Sequence, residues 1–141
     1  MDNNKQLAIE WLKAAKDDLE NIKYIVKVNN LTNIVAFHSQ QAIEKSLKAL
    51  IEYKKLPMAK THNLEKLYKK LDNMIELDYD RLEFINESYI DSRYPGDMGL
   101  LPYGKPTLED AKGFYDFAQI VFDKVCIMLK VDTSEIEETS L

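Results

Sequence analysis

The sequence predicts an all-α fold, an up-and-down bundle of about five helices, and three observations predict it. Apolar residues recur three and four apart over long stretches, the spacing that lines one face of a helix. No segment shows sustained alternation of the kind a half-buried strand needs. Three of the four glycines and three of the four prolines fall between Arg93 and Pro106, so the breakers are confined to one place. Loops of that length inside a small domain are commonly functional.

The first helix is expected from Lys5 to Val28, with Leu7, Trp11, Ala14, Ala15, Leu19, Ile22, Ile25 and Val26 inward. Asn29-Asn30 ends it. A second helix is expected from Thr32 to Lys54, stopped before Pro57, with Val35, Ala36, Ala42, Ile43, Leu47, Ala49 and Leu50 in the core. Thr61 is the expected N-cap of a third helix reaching Asn73, with Leu64, Leu67, Tyr68 and Leu71 inward. A fourth is expected from Asp78 to Ser92. The fifth opens on Thr107-Leu-Glu-Asp, a capping box with Asp110 in place of the usual Glu or Gln. Residues 1–130 read as one helical domain and residues 131–141 as an acidic, frayed tail.

Composition narrows the function. A chain of 141 residues is one domain and needs no disulfide or metal to hold a core. The lone cysteine, Cys126, cannot pair within the chain, and no apolar signal core follows the N-terminus; both point to a cytoplasmic protein. No apolar run approaches the ~20 residues of a membrane span. The net charge of −5 divides unevenly. Residues 1–60 carry ten lysines against seven acids, whereas residues 61–141 carry nine basic residues against seventeen acids. Duplex DNA is therefore an unsuitable ligand, and a nucleotide or short RNA could be held only at a local basic site.

Four constellations could carry chemistry. On the second helix, His38, Gln41, Lys45 and Lys48 stand three, four and three apart, which places them in one stripe. Glu44 precedes Lys48 by four, the order of an exposed ion pair. A solvated face is the plain reading; a cationic groove wall for phosphate is the functional one. Arg93 precedes Tyr94-Pro95, which disfavours helix at the tyrosine and fixes a helix end there. The guanidinium caps the helix dipole or, beside an aromatic ring, grips phosphate. His62 could be structural or could hydrogen-bond a ligand. The fourth is an acidic stripe, Asp80, Glu83, Glu87 and Asp91, with no cation interrupting it. It suggests a cationic neighbour rather than a metal, since no histidine accompanies it. No phosphate loop, His-Glu-x-x-His helix, cysteine cluster or serine elbow occurs, so neither cofactor nor metal is expected.

Taken in order, Ala15-x-x-Asp18-Leu19, Gln41-Ala-x-Glu44-Lys45-x-x-Lys48-Ala, Thr61-His62-x-Leu64-x-x-Leu67, Ser92-Arg93-Tyr94-Pro95 and Glu109-Asp110-Ala111 resemble the HEPN domain. That is the higher-eukaryote and prokaryote nucleotide-binding family. The resemblance runs from Trp11 to about Val125. It implies a helical bundle that dimerises around a cleft. It also implies partnership with a minimal nucleotidyltransferase, MNT, in a two-component or toxin–antitoxin system. On this reading Gln41, Lys45, Lys48, His62, Arg93 and Tyr94 form a nucleotide site. Ribonucleases of the family place a histidine four to six residues after their arginine. Here Arg93 has no histidine after it, because the two in the chain are His38 and His62. An endoribonuclease toxin would have to use Arg93 with His62. A helical assembly protein without a ligand is the third possibility. The homodimer is expected to bury parts of the first, second and fourth helices.

Overall fold

In this computed structural model, residues 3–93 and 105–136 are described, and all their regular elements are helical. Helix α1 spans Asn3–Ile25, α2 Thr32–Tyr53, α3 Leu64–Lys70, α4 Tyr79–Arg93, α5 Leu108–Leu129 and α6 Thr133–Ile136. A 3₁₀ turn over Asn29–Leu31 joins the first two. No described helix is long and apolar enough to cross a membrane.

The centre of the bundle is α2, which packs against α1, α5, α4 and α3. Its composition explains why: Val35, Ala36, Ala42, Ile43, Leu47, Ala49, Leu50 and Ile51 are fully buried, and so are Ser39, Gln40 and Ser46. A helix enclosed on most sides cannot keep a single apolar stripe. The small residues let neighbours approach, and each fully buried Leu or Ile contributes roughly 1.5–3 kcal/mol relative to exposure.

Helix α1 meets α2 through Ala8, Leu12, Ala15, Leu19 and Ile22, all with no exposed surface. That face is turned relative to the expected one. Leu7 is 49% exposed and Trp11 is only partly buried, while Ala8 and Leu12 take the inward places. The helix also stops at Ile25 rather than Val28, because the Val28 amide bonds to the Ile25 carbonyl (3.0 Å) in a tighter, three-residue turn.

Helix α3 starts later than expected. Its cap is Asn63, whose side chain accepts the Lys66 amide at 3.1 Å; the Thr61 hydroxyl instead accepts the Asn63 amide. It ends at Lys70 because Asp72 and Asn73 adopt φ of 42° and 67°, left-handed backbone that no helix continues through. On α4, the side chain of Asp78 accepts the Arg81 amide (3.2 Å) and starts the helix. The capping box of α5 forms as read: the Asp110 amide donates to the Thr107 hydroxyl (2.9 Å) and the Thr107 amide to the Asp110 carboxylate (3.0 Å).

Fraying does not begin at residue 131. Lys130 turns left-handed at φ 54°, and α6 follows with Val131 and Ile136 only 8% and 3% exposed against the body. The α6 segment lies against α1.

Candidate functional site

Two buried carboxylates organise the polar face of α2. Asp18, on the inward arc of α1, is 6% exposed; Glu44, on α2, is 4% exposed. A carboxylate taken from water to that degree must be met by cations and donors. Each of these meets one ammonium and one imidazole.

Asp18 accepts Lys45 Nζ on Oδ2 at 2.8 Å, and its Oδ1 lies 2.9 Å from His38 Nδ1. Glu44 accepts Lys48 Nζ on Oε2 at 2.9 Å, and both its oxygens lie 3.0–3.1 Å from His62 Nδ1. Gln40, fully buried, donates to the His62 carbonyl at 2.8 Å and to Glu44 at 3.2 Å; Gln41 donates to Gln40 at 2.7 Å. Lys48 also sits over the Trp11 ring, 5.5 Å from its centroid. The loop before α3 is then fixed from the far side, because the Leu64 amide donates to buried Asn86 of α4 at 2.9 Å.

A carboxylate at Nδ1 draws the ring proton to that nitrogen, as such partners do for metal-bound and catalytic histidines. The other nitrogen, Nε2, lies on the side of the ring away from the carboxylate. The His62 side chain is 53% exposed, that of His38 24% and that of Lys45 25%. The patch thus offers solvent two oriented imidazoles, a glutamine amide and one ammonium, each already held in place.

The sequence grouped His38, Gln41, Lys45 and Lys48 rightly as neighbours but misjudged their surroundings. The Glu44–Lys48 pair is buried, not exposed: the Lys48 side chain keeps 9% of its surface and that of Glu44 5%. Lys45 and Lys48 are not bare charges on a groove wall, since Asp18 and Glu44 offset them. His62 joins the group through Glu44. Arg93 is the last residue of α4, and its side chain, with all of Tyr94, lies outside the described residues. So does the side chain of Asp91. Asp80 and Glu87 are exposed and Glu83 half-buried, and none of the three forms an ion pair with another described residue.

Sequence reasoning missed the organising roles of Asp18, Glu44, Gln40 and Asn86. A signal existed for Asp18. It falls between Ala15 and Leu19 on the arc that carries Leu12 and Ile22, where an acid is unexpected unless it is paired. Cys126 offers no nucleophile: burial, with the nearby Asp123 charge, pushes its thiol up to about 12. Among the described residues, no three His, Cys, Asp or Glu side chains gather as a metal site.

The comparisons agree with this frame. The crystal structure of an archaeal HEPN homologue superposes with a TM-score of 0.65 at 25% identity, covering 86% of this chain and 97% of that one. No curated protein matches the chain. The model of the HEPN domain matches residues 8–129, from the first core alanine of α1 to the last core leucine of α5, and the chain belongs to that family.

Proposed function

We propose that this HEPN domain is a nucleotide-binding module that works as a cytoplasmic homodimer, partnered by a minimal nucleotidyltransferase in a two-component or toxin–antitoxin system. The observation that carries the binding role is the pre-set polar patch on α2. His38, Lys45 and His62 are held by buried carboxylates and Gln41 by Gln40, so a ligand that meets them orders few side chains. An amide, imidazole nitrogens and an ammonium suit the polar edges of a base and the hydroxyls of a ribose. Phosphate charge falls mainly to Arg93, because Asp18 and Glu44 already offset the two lysines. Tyr94 would supply a stacking ring.

The test is calorimetric titration of ATP and AMP into the purified chain and its variants. Arg93→Ala is expected to weaken binding about 10- to 100-fold, as loss of a charge-assisted hydrogen bond does. Lys45→Ala and Gln41→Ala are expected to weaken it less. No binding by the parent, or parental affinity in all three variants, would sink the reading. Sedimentation at micromolar concentration checks the homodimer, which a purely monomeric boundary refutes.

One observation favours a second reading, a metal-independent endoribonuclease that uses His62 with Arg93. The Glu44–His62 pair is half of a general-base arrangement: an imidazole oriented by a buried carboxylate, with about half of its side chain exposed. Asn86 of α4 touches the segment next to His62, and Arg93 follows Asn86 by seven residues. Its backbone therefore lies on roughly the same helix face about 10 Å further along. The expected outcome with labelled single-stranded RNA is still weak cleavage or none. Robust cleavage, lost in both His62→Ala and Arg93→Ala, would put this reading first.

A further inference from the structure

On the opposite side of α4 from Asn86, an apolar cleft opens between α4 and the first half of α5. It has a volume of about 150 Å³ and is lined by Phe84, Phe114, Phe117 and Gly113. Phe84 and Phe114 pack at 5.2 Å between ring centroids, and Phe84 still keeps 42% of its surface exposed. Arg81 closes one wall, with its guanidinium 4.9 Å from the centre of the Phe117 ring and donating to the Gly113 carbonyl at 3.1 Å.

The floor is informative. Gly113 sits inside α5, where glycine is the least favourable ordinary residue, yet its φ is not left-handed. A Cβ built there would meet nothing within 4 Å. Packing among the described residues therefore gives no reason for a glycine, and alanine would favour the helix. What glycine does is keep the cleft floor open down to the backbone.

The rim is acidic. Glu109 and Asp110 line the cleft from α5. On α4, Asp80 and Glu87 flank Phe84 four residues before and three after it, and Glu83 stands beside it. Among the described residues that line the cleft, Arg81 is the one cation, already engaged with Gly113 and Phe117. Asp110 belongs to the capping box, but Asp80, Glu83, Glu87 and Glu109 have no ion-pair partner among the described residues.

We propose that this face docks a polypeptide partner, distinct from this chain, that inserts one aliphatic side chain over Gly113 and surrounds it with lysine or arginine. The volume suits a single aliphatic side chain and falls below that of cofactor pockets, which hold roughly 300–1,000 Å³. The carboxylates repel nucleic acid and anionic lipid, leaving a basic protein segment as the complementary occupant. An apolar anchor within a polar, oppositely charged rim is the usual anatomy of a protein contact.

The probe is a fluorescent, helix-forming peptide of about 15 residues with one central leucine flanked by lysines, titrated by anisotropy against the full chain. A second peptide replaces the leucine by serine, and a third replaces the lysines by glutamate. The leucine–lysine peptide should bind, the serine peptide about tenfold or more weakly, and the glutamate peptide not at all. Gly113→Leu fills the floor without changing charge, and Glu109→Lys reverses the rim without touching the floor; each should weaken binding about tenfold. Both variants should keep the parent's helical signal and its nucleotide affinity, so this proposal and the nucleotide reading fail separately. No binding by the parent, equal affinity for the leucine and serine peptides, or Gly113→Leu binding like the parent overturns the proposal. Self-association through this particular face would overturn it too, whereas a dimer formed elsewhere would not. Tyr24 is 83% exposed between Lys23 and Lys27, and a concentration-dependent oligomer lost in both Tyr24→Ser and Gly113→Leu would make a second copy the occupant.

Discussion

Glu44 ties together an ammonium, an imidazole and an amide of the site. It receives Lys48, the His62 ring and the Gln40 amide, while 4% exposed. Removing one partner of such a group leaves the others buried without compensation, which typically costs about 3–5 kcal/mol. Glu44→Ala is therefore expected to lower the unfolding free energy by roughly that amount in a urea titration. Glu44→Gln, which can still accept from Lys48, should lose less. The double variant Glu44→Leu/Lys48→Met should recover much of the loss, since an apolar pair fits a buried setting. A cost below about 1 kcal/mol for Glu44→Ala would mean that the carboxylate is solvated and the burial argument wrong. Spacing alone gave the Glu44–Lys48 pair. It could not give the environment, because a helical wheel does not say that other helices cover α2 on most of its sides. For the same reason His62 was legible as a residue of interest but not as the partner of an acid eighteen residues before it.

At the scale of elements, what depends on neighbouring residues was readable and what depends on tertiary contact was not. The α5 capping box is local, four residues whose side chains and amides satisfy one another, and it forms where the sequence placed it. The start of α3 was expected at Thr61, but the cap is Asn63. The choice is made from outside, by Asn86 accepting the Leu64 amide across 22 positions of sequence. The segment after Lys130 looked like solvent-bound tail because eight of its eleven residues are acidic or hydroxylic. Its fate is set instead by Val131 and Ile136, which pack on the body. Ile136→Ser is thus expected to destabilise the bundle by about 1–3 kcal/mol, the scale of one buried aliphatic side chain. Thermal unfolding followed by circular dichroism measures it. An unchanged midpoint would show that α6 contributes nothing to the stability of the body.

For the whole molecule, the charge distribution sets which ligands can approach. The chain carries −5 in total, and the acids concentrate beyond residue 60. In the polar patch on α2, the carboxylates of Asp18 and Glu44 cancel the ammonium groups of Lys45 and Lys48. Little unpaired positive charge therefore remains on the described lysines of the patch. A protein that grips duplex DNA neutralises several phosphates, and its affinity falls steeply with salt, by about 0.9 in log units of affinity per phosphate for each log unit of salt. The described residues of the patch present no row of free cations to do that. Filter binding is accordingly expected to show no retention of a 30-base-pair duplex at physiological salt, whatever its sequence (the length is chosen as roughly three helical turns). If the proposed site is right and Arg93 carries most of the phosphate contact, a mononucleotide should bind with a shallow salt dependence, about one counterion's worth. Lysine-to-alanine changes at Lys45 or Lys48 should leave that slope almost unchanged, whereas Arg93→Ala should flatten it. Measuring affinity at 50, 100 and 200 mM salt (concentrations that span about a factor of 4) separates the cases. A steep slope shared by Lys45 and Lys48 would mean that the ligand displaces Asp18 and Glu44 from their lysines, and the patch would then be a switchable cationic groove rather than a neutral, pre-set one.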